Sequence, residues 1–127
     1  MLKPLRRPHL WLGLWCLAVA VVIVASLTPP PPLELPRNGD KLEHLLAYAL
    51  LAAGAVQIFA PGRRLWRVGA GLVLMGMLLE LAQGAFTTTR LADPRDALAN
   101  ALGVLLGLSM VFSSWRDALL RRAGPHG

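Results

Sequence analysis

A single cysteine, Cys16, excludes an intramolecular disulfide and carries no information about redox compartment. Lying inside an apolar run, it reads as a small packing residue. Charge is scarce as well: Asp, Glu, Lys and Arg make up 16% of the 127 residues against 55% apolar ones, a balance that leans away from a soluble globule. There is no His-Glu-x-x-His metal motif, no evident nucleophile and no internal repeat. The net charge of +6 does not point to nucleic acid, because the Lys and Arg residues fall between apolar runs instead of along one exposed face.

What is present is a set of apolar runs, each close to the roughly 20 residues needed to cross a bilayer. The first, Leu10 to Leu27, follows Lys3, Arg6 and Arg7. It exceeds the ~7–15 residues of a secretory signal core, and Ser26 before a proline run makes a poor cleavage site, so an uncleaved helix is expected. Pro29 to Pro32 cannot continue a helix and should form an extended linker, turned at Asn38-Gly39. Asp40, with Glu43 three residues on, is expected to cap a second helix that stops at Pro61-Gly62. A third run, Val68 to Phe86, is interrupted only by Glu80 and Gln83, and the polar segment Thr87 to Asp93 follows it. Asp93 as cap, Pro94 at the first position and Asp96 at the third then open a fourth helix. The fold expected is all-α: one domain over residues 1–127, an integral membrane bundle of four transmembrane helices at about 10–27, 42–60, 68–86 and 95–115.

Basic residues orient this bundle. With an even number of spans, Lys3, Arg6, Arg7, Arg63, Arg64, Arg67, Arg116, Arg121 and Arg122 share one side, leaving Arg37, Lys41, Arg90 and Arg95 on the other. Such an excess in short loops puts the first group, and both termini, in the cytoplasm. Trp11, Trp15, Trp66 and Trp115 all fall at or near the same side, where an amphipathic ring prefers the headgroup layer.

Under that topology the unusual polar residues meet at the outer face. Asp40, His44 and Tyr48 follow i, i+4 spacing; Glu80 and Gln83 follow i, i+3; Asp96, Asn100, Gly103 and Gly107 follow steps of three and four. Gly103-x-x-x-Gly107 allows close helix contact in lipid, so Asn100 should face protein. Glu80 is costly at membrane depth and needs a partner, such as Arg90, or a purpose. His44 is either an interfacial residue bonded to Glu80 or to a backbone carbonyl, or a titrating group. Asp40 and Asp93 serve as caps or in chemistry, and Asp96 and Asn100 as helix-to-helix bonds or as a site. Gln57 carries no clear signal. The starts of the second and fourth helices, with Lys41, Arg90 and Arg95, suit an anionic group. Six acidic residues on that side, Glu34, Asp40, Glu43, Glu80, Asp93 and Asp96, exclude a simple electropositive funnel.

Three pieces in order, Asp40-Lys41-x-x-His44, Glu80-x-x-Gln83 and Arg90-x-x-Asp93-x-x-Asp96-x-x-x-Asn100-x-x-Gly103, resemble the VanZ-like family of small bacterial membrane proteins. The likeness spans Asp40 to Gly107. It implies a multi-pass protein of the bacterial cytoplasmic (inner) membrane, in a family named for a member linked to teicoplanin resistance; it implies no settled mechanism. The function expected is binding or modulating an amphipathic cell-envelope molecule, be it a lipid-linked precursor, an anionic lipid or a lipoglycopeptide. Asp40, Lys41, His44, Glu80, Gln83, Arg90, Asp93, Asp96 and Asn100 would form the site. No cofactor, metal or nucleic acid is expected; the partners are the lipid bilayer, the envelope ligand and a further membrane protein. Two alternatives stay open: a membrane-embedded hydrolase or transferase using His44 or Glu80 as acid or base, and a structural subunit of a larger complex.

Overall fold

The computed structural model describes residues 2–27, 39–86 and 94–123. The expected proline linker, the Thr87–Asp93 segment and the side chains of Asp40, Lys41, Gln83, Arg90 and Asp93 lie outside the described residues. Regular structure within them is helical: α1 (Pro8–Leu27), α2 (Gly39–Ile58), α3 (Arg63–Phe86), α4 (Pro94–Leu108) and a short α5 (Ala118–Ala123). Among the described residues, the one extended pairing is an isolated bridge between Leu2 and Phe59.

Among the described residues, three segments are long and apolar enough to cross a membrane, Pro8–Leu27, Arg63–Ala82 and Arg95–Phe112, and Leu42–Ile58 is a shorter apolar helix. Their outer surfaces are rich in exposed Leu and Val: Leu17, Val21 and Val24 on α1, Leu74 and Leu81 on α3, Leu102 and Leu105 on α4. Apolar surface on this scale is stable in lipid and not in water.

α2 is the hub, touching α1, α3, α4 and α5. Its closest neighbour is α4, and the cause is the absence of side chains at two positions. A methyl group on Gly103 would run into the Leu45 carbonyl oxygen, and one on Gly107 into the Ala49 carbonyl oxygen. The two helices therefore pack backbone to backbone in parallel, through the small-residue contact that the Gly-x-x-x-Gly spacing predicts. α3 runs antiparallel to both and contributes one stripe, Leu65, Gly69, Leu72, Gly76 and Glu80, all buried. The core beneath is Tyr48, Leu51, Ala52, Ala55 and Val56 of α2 with Leu72, Val104 and Leu108. Between α2 and α3 the chain turns at Pro61-Gly62, where Gly62 takes φ 140°, a backbone region in which a side chain is strained.

α1 buries none of its residues. It is held by Trp15, whose indole N–H donates to the Leu51 carbonyl (2.8 Å) and whose ring meets Phe59 edge-on at 5.7 Å. Cys16 is exposed and does not pack against the described residues, contrary to the sequence reading, because α1 lies at the periphery of the bundle.

Two other expectations need correcting. α2 begins at Gly39, so Asp40 sits within the first turn instead of preceding it as a cap. The fourth helix does not run unbroken to Trp115: α4 ends at Leu108 and continues as 3₁₀ turns, Ser109–Phe112 and Ser114–Asp117, before α5. Serine explains the break. The Ser109 hydroxyl donates to the Leu106 carbonyl and that of Ser113 to the Met110 carbonyl, while Ser113 also accepts from the Trp115 amide, so side chains compete with the helical ladder.

Candidate functional site

Near one end of the bundle, the first half of α2, the last turns of α3 and the start of α4 bring polar side chains together. His44 Nδ1 donates to Asn100 Oδ1 at 3.1 Å, joining α2 to α4. With the amide oxygen as acceptor, the ring donates through Nδ1. Asn100 is 2% exposed, Tyr48 one turn beyond His44 is equally buried, and Glu80 and Asp96 are buried too. Asp96 is one turn before Asn100 on the same face of α4.

Gly76 lets α3 close over this group. A Cβ there would meet Asn100 Cβ and Nδ2 at 3.0 Å and Tyr48 Cε1 at 3.3 Å. Glu80 is one turn further along the same buried stripe, within electrostatic reach of the Tyr48 hydroxyl. That hydroxyl is buried and makes no hydrogen bond among the described residues. Glu80 and Asp96 each interact within the chain. His44, Tyr48, Glu80, Asp96 and Asn100 thus form a polar layer where three helices meet.

Cost separates this layer from ordinary helix glue. A hydrogen bond between membrane helices averages about 0.6 kcal/mol, whereas a carboxylate at the bilayer centre costs on the order of 2.5–3.5 kcal/mol, less near the interface. Since Gly103 and Gly107 already hold α2 on α4, burying two carboxylic acids nearby gains little cohesion. The arrangement suits recognition of a polar group, with a donor phenol, an oriented imidazole, an amide and carboxyls at one level. Among the described residues, no group of three or more His, Cys, Asp or Glu side chains is placed to hold a metal ion.

Of the nine residues expected from the sequence, His44, Glu80, Asp96 and Asn100 have described side chains, and all four belong to this layer. His44 pairs with Asn100, which neither of its expected partners anticipated. Tyr48 and Gly76 went unassigned. The signal for Tyr48 was its i+4 spacing from His44, and for Gly76 a small residue one turn before the only carboxylate of its span.

The opposite end is organised differently. Lys3, 4% exposed, ion-pairs with Asp117 Oδ1 at 2.8 Å and donates to the Arg116 carbonyl, while its backbone amide donates to the Ile58 carbonyl. The Lys3 ammonium holds the Asp117 carboxyl below its usual range. Gln57 staples the chain after α4: its Nε2 donates to the Trp115 carbonyl (2.8 Å) and contacts Met110 Sδ, and its Oε1 accepts from the Leu119 amide (2.9 Å). The N-terminal arm, the end of α2 and the chain after α4 therefore share one end, as an even alternation of helix directions requires.

Helices of this length and apolarity, with Leu and Val on the outside and carboxyls inside, define a membrane protein with transmembrane helices. Comparison with models of known families, with curated proteins and with solved structures finds no match.

Proposed function

We propose that the chain is a four-span protein of the bacterial cytoplasmic membrane that binds or modulates an amphipathic cell-envelope molecule at the layer formed by His44, Tyr48, Glu80, Asp96 and Asn100. The observation that carries this reading is the His44–Asn100 hydrogen bond set among buried carboxyls where α2, α3 and α4 converge. Leu42–Ile58, the shorter apolar helix, is the fourth span, and the basic end faces the cytoplasm by the excess of Lys and Arg there. The polar layer then lies toward the outer leaflet, with the head of the ligand near His44 and Asn100 and its chain along the apolar helix exteriors. The resemblance to VanZ-like proteins supports the same placement, because four of its described residues, His44, Glu80, Asp96 and Asn100, belong to this layer. Lys41, Arg90 and Arg95, with the starts of α2 and α4, would favour an anionic head.

The test is binding of a lipid-linked precursor and of a lipoglycopeptide to the wild-type protein and to His44→Ala and Asn100→Ala in nanodiscs. Loss of at least one ligand in both variants is expected, and equal binding by all three proteins rejects the site.

A second reading, an enzyme, draws on the orientation of His44: an imidazole held at Nδ1 by an amide presents Nε2 as a base, with Glu80 as a partnering acid. Turnover of a labelled lipid substrate abolished by His44→Ala and by Glu80→Gln would favour it; turnover that survives both would remove it.

A further inference from the structure

The basic end carries a recess that the polar layer does not use. It measures about 520 Å³ and is lined by Gln57, Trp115, Ala118, Leu119, Arg121 and Arg122.

Its donors sort cleanly. The Gln57 amide is already committed to Met110, Trp115 and Leu119. Arg121 gives one N–H to the Ser114 carbonyl (3.0 Å), which anchors its guanidinium beside the recess and leaves its other donors for a ligand. Arg122 is exposed and has no partner among the described residues. Asp117, the acid of this segment, is ion-paired with Lys3 at 2.8 Å and with Arg116 at 3.7 Å and also feels the charge of Arg121, so three cations share its one negative charge.

Depth and wall chemistry narrow the occupant further. The recess begins just past Phe112, where the apolar segment Arg95–Phe112 ends, which puts it at headgroup level. Phe112 is 81% exposed and Trp115 64%, and Trp66 lies beside Phe112 at 6.5 Å. A soluble anion would leave uncovered the apolar part of the lining, Trp115, Ala118 and Leu119, and the exposed Phe112 outside it, whereas a two-part molecule covers them with its chains.

We propose that this recess is a discrete binding site for an anionic phospholipid of the adjacent leaflet, with the phosphodiester held by Arg121 and Arg122 and the upper acyl chains against Trp115, Leu119 and Phe112. The site is separate from the polar layer and holds whichever way the protein faces. Arginine suits it, since its planar fork matches phosphate oxygens.

The experiment retains lipid on the purified full chain and reads it by native mass spectrometry after exchange with dioleoyl phosphatidylglycerol or phosphatidylcholine. R121Q/R122Q should lower phosphatidylglycerol occupancy about tenfold, at about one factor of five or less per arginine, and leave phosphatidylcholine unchanged. R63Q/R64Q removes the same charge from the start of α3 at the same end and should leave occupancy as in the wild type. Equal loss in both double variants would mean diffuse attraction and overturn the site, as would no loss in R121Q/R122Q. A measurement on the wild type alone guards against misfolding of a variant. Phosphatidylglycerol with a photoreactive group near the head of its acyl chain should label the peptide 112–122, and labelling elsewhere instead would overturn the proposal.

Discussion

The two ends of this bundle handle polar groups in opposite ways. At one, side chains from three helices meet each other: His44 reaches Asn100, and Glu80 and Tyr48 lie within electrostatic reach. At the other, side chains meet the backbone where helices break, as Gln57 does at Trp115 and Leu119 and Lys3 at Arg116. Loose carbonyls and amides at chain breaks must be satisfied, and long polar side chains do this economically. Polar side chains that turn toward one another inside intact helices satisfy no broken backbone. The first end is accordingly the candidate for recognition, and the second is a clasp that holds the termini and carries a surface site.

Both ends depend on the same seam, so the largest effect should come from breaking it. Gly103→Leu drives a side chain into the backbone of α2 and should cost about 3 kcal/mol or more, with loss of a monodisperse peak in mild detergent. Gly71→Leu, where a Cβ meets nothing within 4 Å, should change thermal stability by about 0.5 kcal/mol or less. If Gly103→Leu behaved like Gly71→Leu, the two ends would not share a frame.

Asn100→Leu should act at one end only. It removes the acceptor of His44 and crowds Gly76, for a loss of about 1–3 kcal/mol in thermal unfolding. Protease access to the C-terminal segment should stay as in the wild type; increased cleavage there would show the ends to be coupled.

Asp117→Asn tests the clasp. It leaves the buried Lys3 ammonium with the Arg116 carbonyl in place of a carboxylate, and because Asp117 is 36% exposed the cost should be about 1–2 kcal/mol, below that of a fully buried pair. Proteolysis after Arg6 or Arg7 should accelerate, while ligand binding at the polar layer should not change.

The smallest effect concerns acid. Lys3 lowers the Asp117 pKa in the folded state from the ordinary 3.8, so its contribution is complete above that value and is lost as pH falls through the lower folded one. Loosening of the N-terminal arm should therefore appear only below about pH 4 and be absent in Asp117→Asn. A loss of clasp stability at pH 5–7 would point to a different group.

Much of the site could be read from spacing. The i, i+4 steps that put His44 with Tyr48 and Asp96 with Asn100 follow from helical geometry, and both pairs are buried or half-buried on facing helices. The identity of the partner could not be read. His44 and Asn100 are 56 positions apart, and whether the ring meets Asn100 or Glu80 depends on how far α2 and α4 slide along each other, which Gly103 and Gly107 settle by letting the backbones touch. Gln57 shows the limit more sharply. An amide near a helix end carries no pattern of its own, and its three bonds reach Met110, Trp115 and Leu119 only because α4 breaks at the serines.

Apolar runs, proline and glycine breaks and the distribution of arginine by themselves determined that the chain is a helical membrane protein, because each follows from local free energies of transfer and backbone geometry. Tertiary structure alone decided that Lys3 is buried against Asp117, 114 positions away in the chain, that the Trp15 indole ties α1 to α2, and that α3 closes over the polar layer at Gly76. Those outcomes depend on which surfaces meet, and contact between distant segments has no periodic trace in the sequence.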